Sequence, residues 1–186
     1  HFASALGMTA NASGNGAVAI GPTANASGEA GVAIGIASQA SAKKTTAIGS
    51  VATADKDYAT AIGSKASATS EGAQALGYQS NASGYRSNAI GWNANATAQD
   101  ATAIGSRAKA YGEDSAALGN SAKASGFESL ALGNSAEASG SASNAIGWRA
   151  NATAQNATAI GSGATAIGDD ATAIGKDAQA IGKYST

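Results

Sequence analysis

Asn25-Ala26-Ser27-Gly28-Glu29-Ala30-Gly31-Val32-Ala33-Ile34-Gly35 is the stretch that decides how this chain folds. It holds two similar phrases of seven residues, centred on Ala26 and Ala33. A small residue stands two places before each, Ala24 in one case and Gly31 in the other. Reading outward in both directions, the pattern does not fail: every seventh residue from Ala5 to Ala180 is Ala. The residue after that Ala alternates between large apolar and polar. It is Ile20, Ile34, Ile48, Ile62, Leu76, Ile90, Ile104, Leu118, Leu132, Ile146 and Ile160 at intervals of fourteen, with Ser27, Ser41, Asp55, Thr69 and their equivalents midway. The true period is therefore fourteen, built from two halves. Each of those Ile and Leu residues is followed by Gly.

A seven-residue period invites a coiled coil, and the details exclude it. A heptad seam needs large apolar residues spaced alternately three and four apart, whereas here small residues lie two apart and Gly recurs in every repeat. A Gly inside a helix costs about 1 kcal/mol relative to Ala. Spacing of two is the signature of a strand, and Gly followed by polar residues that of a turn. Nearly all charge falls where that predicts, one or two places after the Gly position, as in Glu29, Lys43, Lys65, Arg107, Glu113 and Asp170. The half-repeat reads as a strand of about five residues and a turn of about two.

Two strands and two turns make one fourteen-residue coil, and coils stack in parallel about 4.8 Å apart into a rod of roughly 60 Å. Composition agrees. Apolar residues make up 44% of the 186, but aromatics are only 5%, and Gly numbers 25 against one Pro. So few large side chains fill a thin interior, not a spherical core. If the Ala points inward, strand alternation sends the neighbouring Ile or Leu outward. Beside that stripe lie Val18, Val32, Thr46, Thr60 and Gln74, none charged, while the opposite strand carries Asn11, Asn25, Lys109, Lys123 and Glu137. An exposed stripe of this size exceeds what a soluble monomer tolerates. Burying each side chain contributes roughly 1.5–3 kcal/mol, so folding and association are expected to be coupled around a cyclic axis. The pattern itself leaves dimer and trimer open.

The Ala-Ser-Gly…Val-Ala-Ile-Gly unit, recurring along essentially the whole chain, resembles the YadA-like head repeat of trimeric autotransporter adhesins. The resemblance implies an all-β, left-handed parallel β-roll, or β-solenoid, with 14-residue coils assembled as a homotrimer. It also implies export to the bacterial cell surface as the exposed head of an outer-membrane-anchored protein, with binding to host cell-surface or extracellular matrix proteins. No stalk or anchor sequence is visible, and the chain is read as a piece of something larger. Residues 1–160 are expected to form the regular head. Over residues 161–186 the large apolar residue recurs every seven positions, at Ile160, Ile167, Ile174 and Ile181, which suggests final coils leading toward a neck. A purely structural spacer that projects a binding region elsewhere is the alternative function.

Other chemistry finds little footing. Cys is absent, the only His is His1, and the carboxylates are scattered over turns, so no catalytic residue, metal or cofactor is expected. Asp169, Asp170 and Asp177 lack the calcium-binding nonapeptide context. Eleven Lys and Arg against twelve Asp and Glu leave a net charge of -1, which supplies no basic stripe for nucleic acid, and no run of residues is long enough to insert in a membrane. Hexapeptide acyltransferases need an eighteen-residue coil, and an ice-binding surface needs a Thr array that Gln74, Asn88 and Asn144 interrupt. Sequons at Asn11, Asn25, Asn81, Asn95, Asn151 and Asn156 arise from the repeat itself. The candidate receptor contacts are the surface aromatics: Tyr78, Tyr85, Trp92, Phe127 and Trp148, each directly after Gly, and Tyr111 on the outer strand. Asn88–Ser106 closely repeats as Asn144–Ser162, a separation of four coils.

Overall fold

The computed structural model describes residues 2–186, which fall into two compact units, 1–93 and 94–186, the first lacking only a description of His1. Each unit is a parallel β-solenoid in which strands of three and of two residues alternate. In the first unit the three-residue strands are β1 (Ser4–Leu6), β3 (Val18–Ile20), β5 (Val32–Ile34), β7 (Thr46–Ile48), β9 (Thr60–Ile62), β11 (Gln74–Leu76) and β13 (Asn88–Ile90). Between them run the two-residue strands β2 (Asn11–Ala12), β4 (Asn25–Ala26), β6 (Gln39–Ala40), β8 (Thr53–Ala54), β10 (Ser67–Ala68) and β12 (Asn81–Ala82). In the second unit the longer strands are β15 (Thr102–Ile104), β17 (Ala116–Leu118), β19 (Leu130–Leu132), β21 (Asn144–Ile146), β23 (Thr158–Ile160) and β25 (Thr172–Ile174). The shorter ones are β14 (Asn95–Ala96), β16 (Lys109–Ala110), β18 (Lys123–Ala124), β20 (Glu137–Ala138), β22 (Asn151–Ala152), β24 (Thr165–Ala166) and β26 (Gln179–Ala180). Odd strands pair with odd and even with even, always in parallel and in the register of the repeat: Ala19 opposite Ala33, Ala26 opposite Gln39's neighbour Ala40.

The interior is the alanine ladder that the pattern predicts. Ala17, Ala19, Ala24 and Ala26 have no exposed surface, nor do their equivalents in most coils. Where a hydroxyl replaces the methyl it is in several coils satisfied locally: Ser38 Oγ donates to the Gly35 carbonyl at 3.0 Å, Thr45 Oγ1 to Ala42 at 2.8 Å and Ser115 Oγ to Gly112 at 2.6 Å, whereas the buried Ser87 and Ser143 hydroxyls find no partner among the described residues. Thr45 is the largest side chain fully enclosed. Two sheets this close leave no volume for anything larger.

Strands are shorter and turns longer than the predicted five and two. The cause lies in the turns. The third turn residue has positive φ throughout, and it is usually not Gly: Thr23 (56°), Lys44 (54°), Arg107 (58°) and Asp170 (55°) are examples. Positive φ at that position is what a type II turn requires, and for an L residue it costs about 1–2 kcal/mol. A hydrogen bond recovers much of this. Where a coil precedes it in the same unit, the N–H of such a residue donates to the carbonyl fifteen residues earlier, as Thr23 to Met8 (2.9 Å), Lys44 to Glu29 (2.7 Å) and Glu128 to Glu113 (2.9 Å), so the turns form ladders of their own. The turn after an odd strand, here turn A, opens on a Gly of φ 124–140° in nearly every case. A Cβ on Gly49 would sit 2.5 Å from the Gly63 carbonyl in the adjacent coil. The turn after an even strand, turn B, opens on Gly in some coils but on Ala42, Lys56 and Ser70 in others.

Candidate functional site

Strand alternation places two residues of each odd strand on the outer surface, and they form the apolar face. In the first unit Ile20, Ile34, Ile48, Ile62, Leu76 and Ile90 stand in one register column. In the second, Ile104, Leu118, Leu132, Ile146 and Ile160 do the same. Ile20 and Ile90 are 38% exposed, Ile62 37% and Leu132 43%; Ile34, Ile48, Leu76, Leu118, Ile146 and Ile160 are half-buried by their neighbours in the column. Every residue predicted for a self-association stripe thus lies on one face of its own unit. Ile167, Ile174 and Ile181 are exposed, the first and last beside even strands.

The even sheet presents a polar exterior. Asn11 Nδ2 donates to Asn25 Oδ1 at 3.0 Å, and Lys123 Nζ meets Glu137 Oε1 at 2.8 Å across one register step. The hydrogen bond from Lys123 holds the Glu137 carboxyl below its ordinary range, against a smaller opposing effect of burial, with the Lys charge and the Ser139 hydroxyl adding to the lowering. Such a half-exposed pair contributes little to stability.

The candidate receptor contacts are divided, not gathered. In the first unit Tyr78 and Trp92 occupy turn A in adjacent coils, while Tyr85 lies on turn B. In the second, Trp148 is on turn A, Phe127 on turn B, and Tyr111 on the outside of the even sheet. Arg149 lies over the Trp148 ring at 4.4 Å and Arg86 over Tyr85 at 4.9 Å, so these rings pack in part against their own chain. Trp148 still shows 51% of its surface and Trp92 42%.

Sequence reading treats both turns alike, because the phrase of seven residues is the same in each, and so misses that charge is sorted between them. In the second unit, turn A carries Arg107, Arg149 and Lys176 with Asp177, whereas turn B carries Asp100, Glu113, Asp114, Glu128, Asp169 and Asp170 with Lys183. In the first unit turn A carries a single charged residue, Lys65, and has Met8, Pro22, Ile36 and Val51 exposed, while turn B mixes signs, as in the 3.7 Å pair of Lys43 and Glu29. Among the described residues no group of three or more His, Cys, Asp or Glu is arranged to hold a metal, and no helix is long and apolar enough to cross a membrane. His1 lies outside the described residues.

The sequence family described as the YadA head domain repeat matches residues 2–24, 12–38, 26–52, 40–66, 54–74, 68–94, 96–122, 124–150, 143–164 and 166–186. The chain belongs to the YadA head repeat family. Its matched segments run from the first described coil to the last, so the whole of each unit is YadA-type head repeat. Among solved structures, the chain is similar to the collagen-binding domain of the Yersinia adhesin YadA, with 27% identity, covering 84% of this chain and 67% of that one at a TM-score of 0.39. No curated protein sequence matches.

Proposed function

We propose that this YadA-type head works as a homotrimer on the bacterial cell surface, attaching its bearer to host cells or extracellular matrix, and that it has no catalytic role. The observation that carries the assembly is the in-register Ile and Leu column on an outer face of each unit. Left in water, such a column exceeds the apolar patch that soluble chains tolerate, and burying each residue contributes roughly 1.5–3 kcal/mol. Copies arranged about an axis parallel to the strand stack bury it on every member at once. Threefold closure and attachment both rest on the family to which the chain belongs. The aromatics Tyr78 and Trp92, exposed in adjacent coils, are the first candidates for a receptor contact.

Equilibrium sedimentation tests the assembly: three copies are expected, and a well-folded single chain would overturn it. Binding of the chain to a panel of matrix proteins, collagen among them, and to host cells tests attachment. Saturable binding that falls in Trp92→Ala or Tyr78→Ala is expected. No binding to any of them would reduce the chain to a spacer.

A further inference from the structure

The sorted charges of the second unit have a geometric meaning once copies associate. Each odd sheet is bounded by turn B at the start of its strands and by turn A at their ends, as in the order Asp114, Ala116–Leu118, Ser121. When parallel copies turn these sheets toward a common axis, rotation brings turn A of one copy beside turn B of the next. Antiparallel copies would instead bring like edges together. Turn A of this unit is predominantly basic and turn B predominantly acidic, so the parallel arrangement joins opposite charges and the antiparallel one opposes acid to acid.

The levels agree as well as the signs. Arg107 belongs to the coil that begins at the Asp100 turn and ends at the Glu113 and Asp114 turn. Lys176 and Asp177 belong to the coil that begins at Asp169 and Asp170 and ends at Lys183. Copies related by pure rotation, with no shift along the axis, therefore place Arg107 level with Asp100 and Asp114, and the adjacent Lys176 and Asp177 level with Asp169 and Asp170 on one side and with Lys183 and Tyr184 on the other. Arg107, Glu113, Asp114, Asp170, Lys176 and Asp177 are all exposed within the single chain. The partner is a second copy of this chain, and the complementarity is heterologous: one edge of each copy meets the other edge of its neighbour.

We infer that the basic turn edge of the second unit, at Arg107 and Lys176, docks against the acidic turn edge of a neighbouring parallel copy, at Asp114 and Asp170, and so fixes the direction and axial register of the assembly. This rests on the proposed self-association through the Ile and Leu column. The test is charge exchange in the full chain, read by equilibrium sedimentation at low and high salt. Arg107→Glu with Lys176→Glu, and separately Asp114→Lys with Asp170→Lys, are each expected to weaken association roughly tenfold or more at low salt, with recovery at high salt. All four substitutions together restore opposite signs with unchanged net charge, and should return the association to that of the parent chain. If the combined variant is as weak as either pair, or if neither pair has any effect while the parent assembles, the edge pairing is wrong. If the parent itself sediments as a single chain, the self-association beneath it fails too. Far-ultraviolet dichroism confirms that each variant keeps its strands, since all four positions already hold charged side chains on turns.

Discussion

Within each unit the two sheets have the same lining and opposite exteriors. Ala61 in β9 and Ala68 in β10 are equally enclosed, yet the next residue is exposed Ile62 in one case and Thr69 in the other. The lining therefore specifies that a coil forms, and the outer residues alone specify what it meets. A molecule with so little interior leaves much of its large apolar surface on that outer column, where under the proposed self-association a partner copy would bury it.

The sharpest way to break this comparison is to attack what the sheets share. Ala61→Leu and Ala68→Leu should each destabilise by about 3 kcal/mol, the upper end of the overpacking range, and to the same extent. Chemical denaturation measures it; a large difference between the two would mean that the interior is not common property. Next come the turns. Gly49→Ala puts a methyl 2.5 Å from backbone at φ +134° and should cost about 2 kcal/mol, while Lys56→Ala on turn B should stay within about 0.5 kcal/mol. The exteriors are compared by Ile62→Asp against Ser67→Asp. The former should lose roughly 1.5–3 kcal/mol of association per chain, seen as dissociation in sedimentation, and the latter should leave the assembly intact.

The smallest expected effect belongs to the polar face. Because Lys123 lowers the folded-state pKa of Glu137, the pair contributes above the ordinary Glu range and is lost as pH falls through the lowered value. Glu137→Gln should therefore remove a few tenths of a kcal/mol at neutral pH and nothing at strongly acidic pH, because half-exposed pairs are screened by solvent. A denaturation series across pH checks this.

The coil, the lining and the apolar face were legible in the sequence because each depends on spacing alone: two for alternation, fourteen for the register that aligns Ile20 with Ile34. The turn conformation was not. Positive φ is usually flagged by Gly, but at the third turn position only Gly16, Gly72 and Gly163 give that signal, while Thr23, Arg86 and Tyr184 adopt it with ordinary side chains because stacked hydrogen bonds hold them there. Strand length was overestimated for the same reason. The sorting of groups between edges was hidden by the similarity of the two halves. Arg107 and Asp114 hold the same place in the seven-residue phrase, as do Tyr78 and Tyr85, yet in each pair one residue lies on turn A and the other on turn B.

Within each unit, the hydrogen bond that runs from a turn to the residue fifteen places earlier makes one coil the template for the next. Such a chain can be lengthened or shortened only in complete windings. Excising seven residues would keep each methyl column filled, but from that point on it would carry the isoleucines round to the wet side. Growth by whole windings preserves both exteriors, and Asn88–Ser106 recurring as Asn144–Ser162, four windings on, has the form such growth would leave.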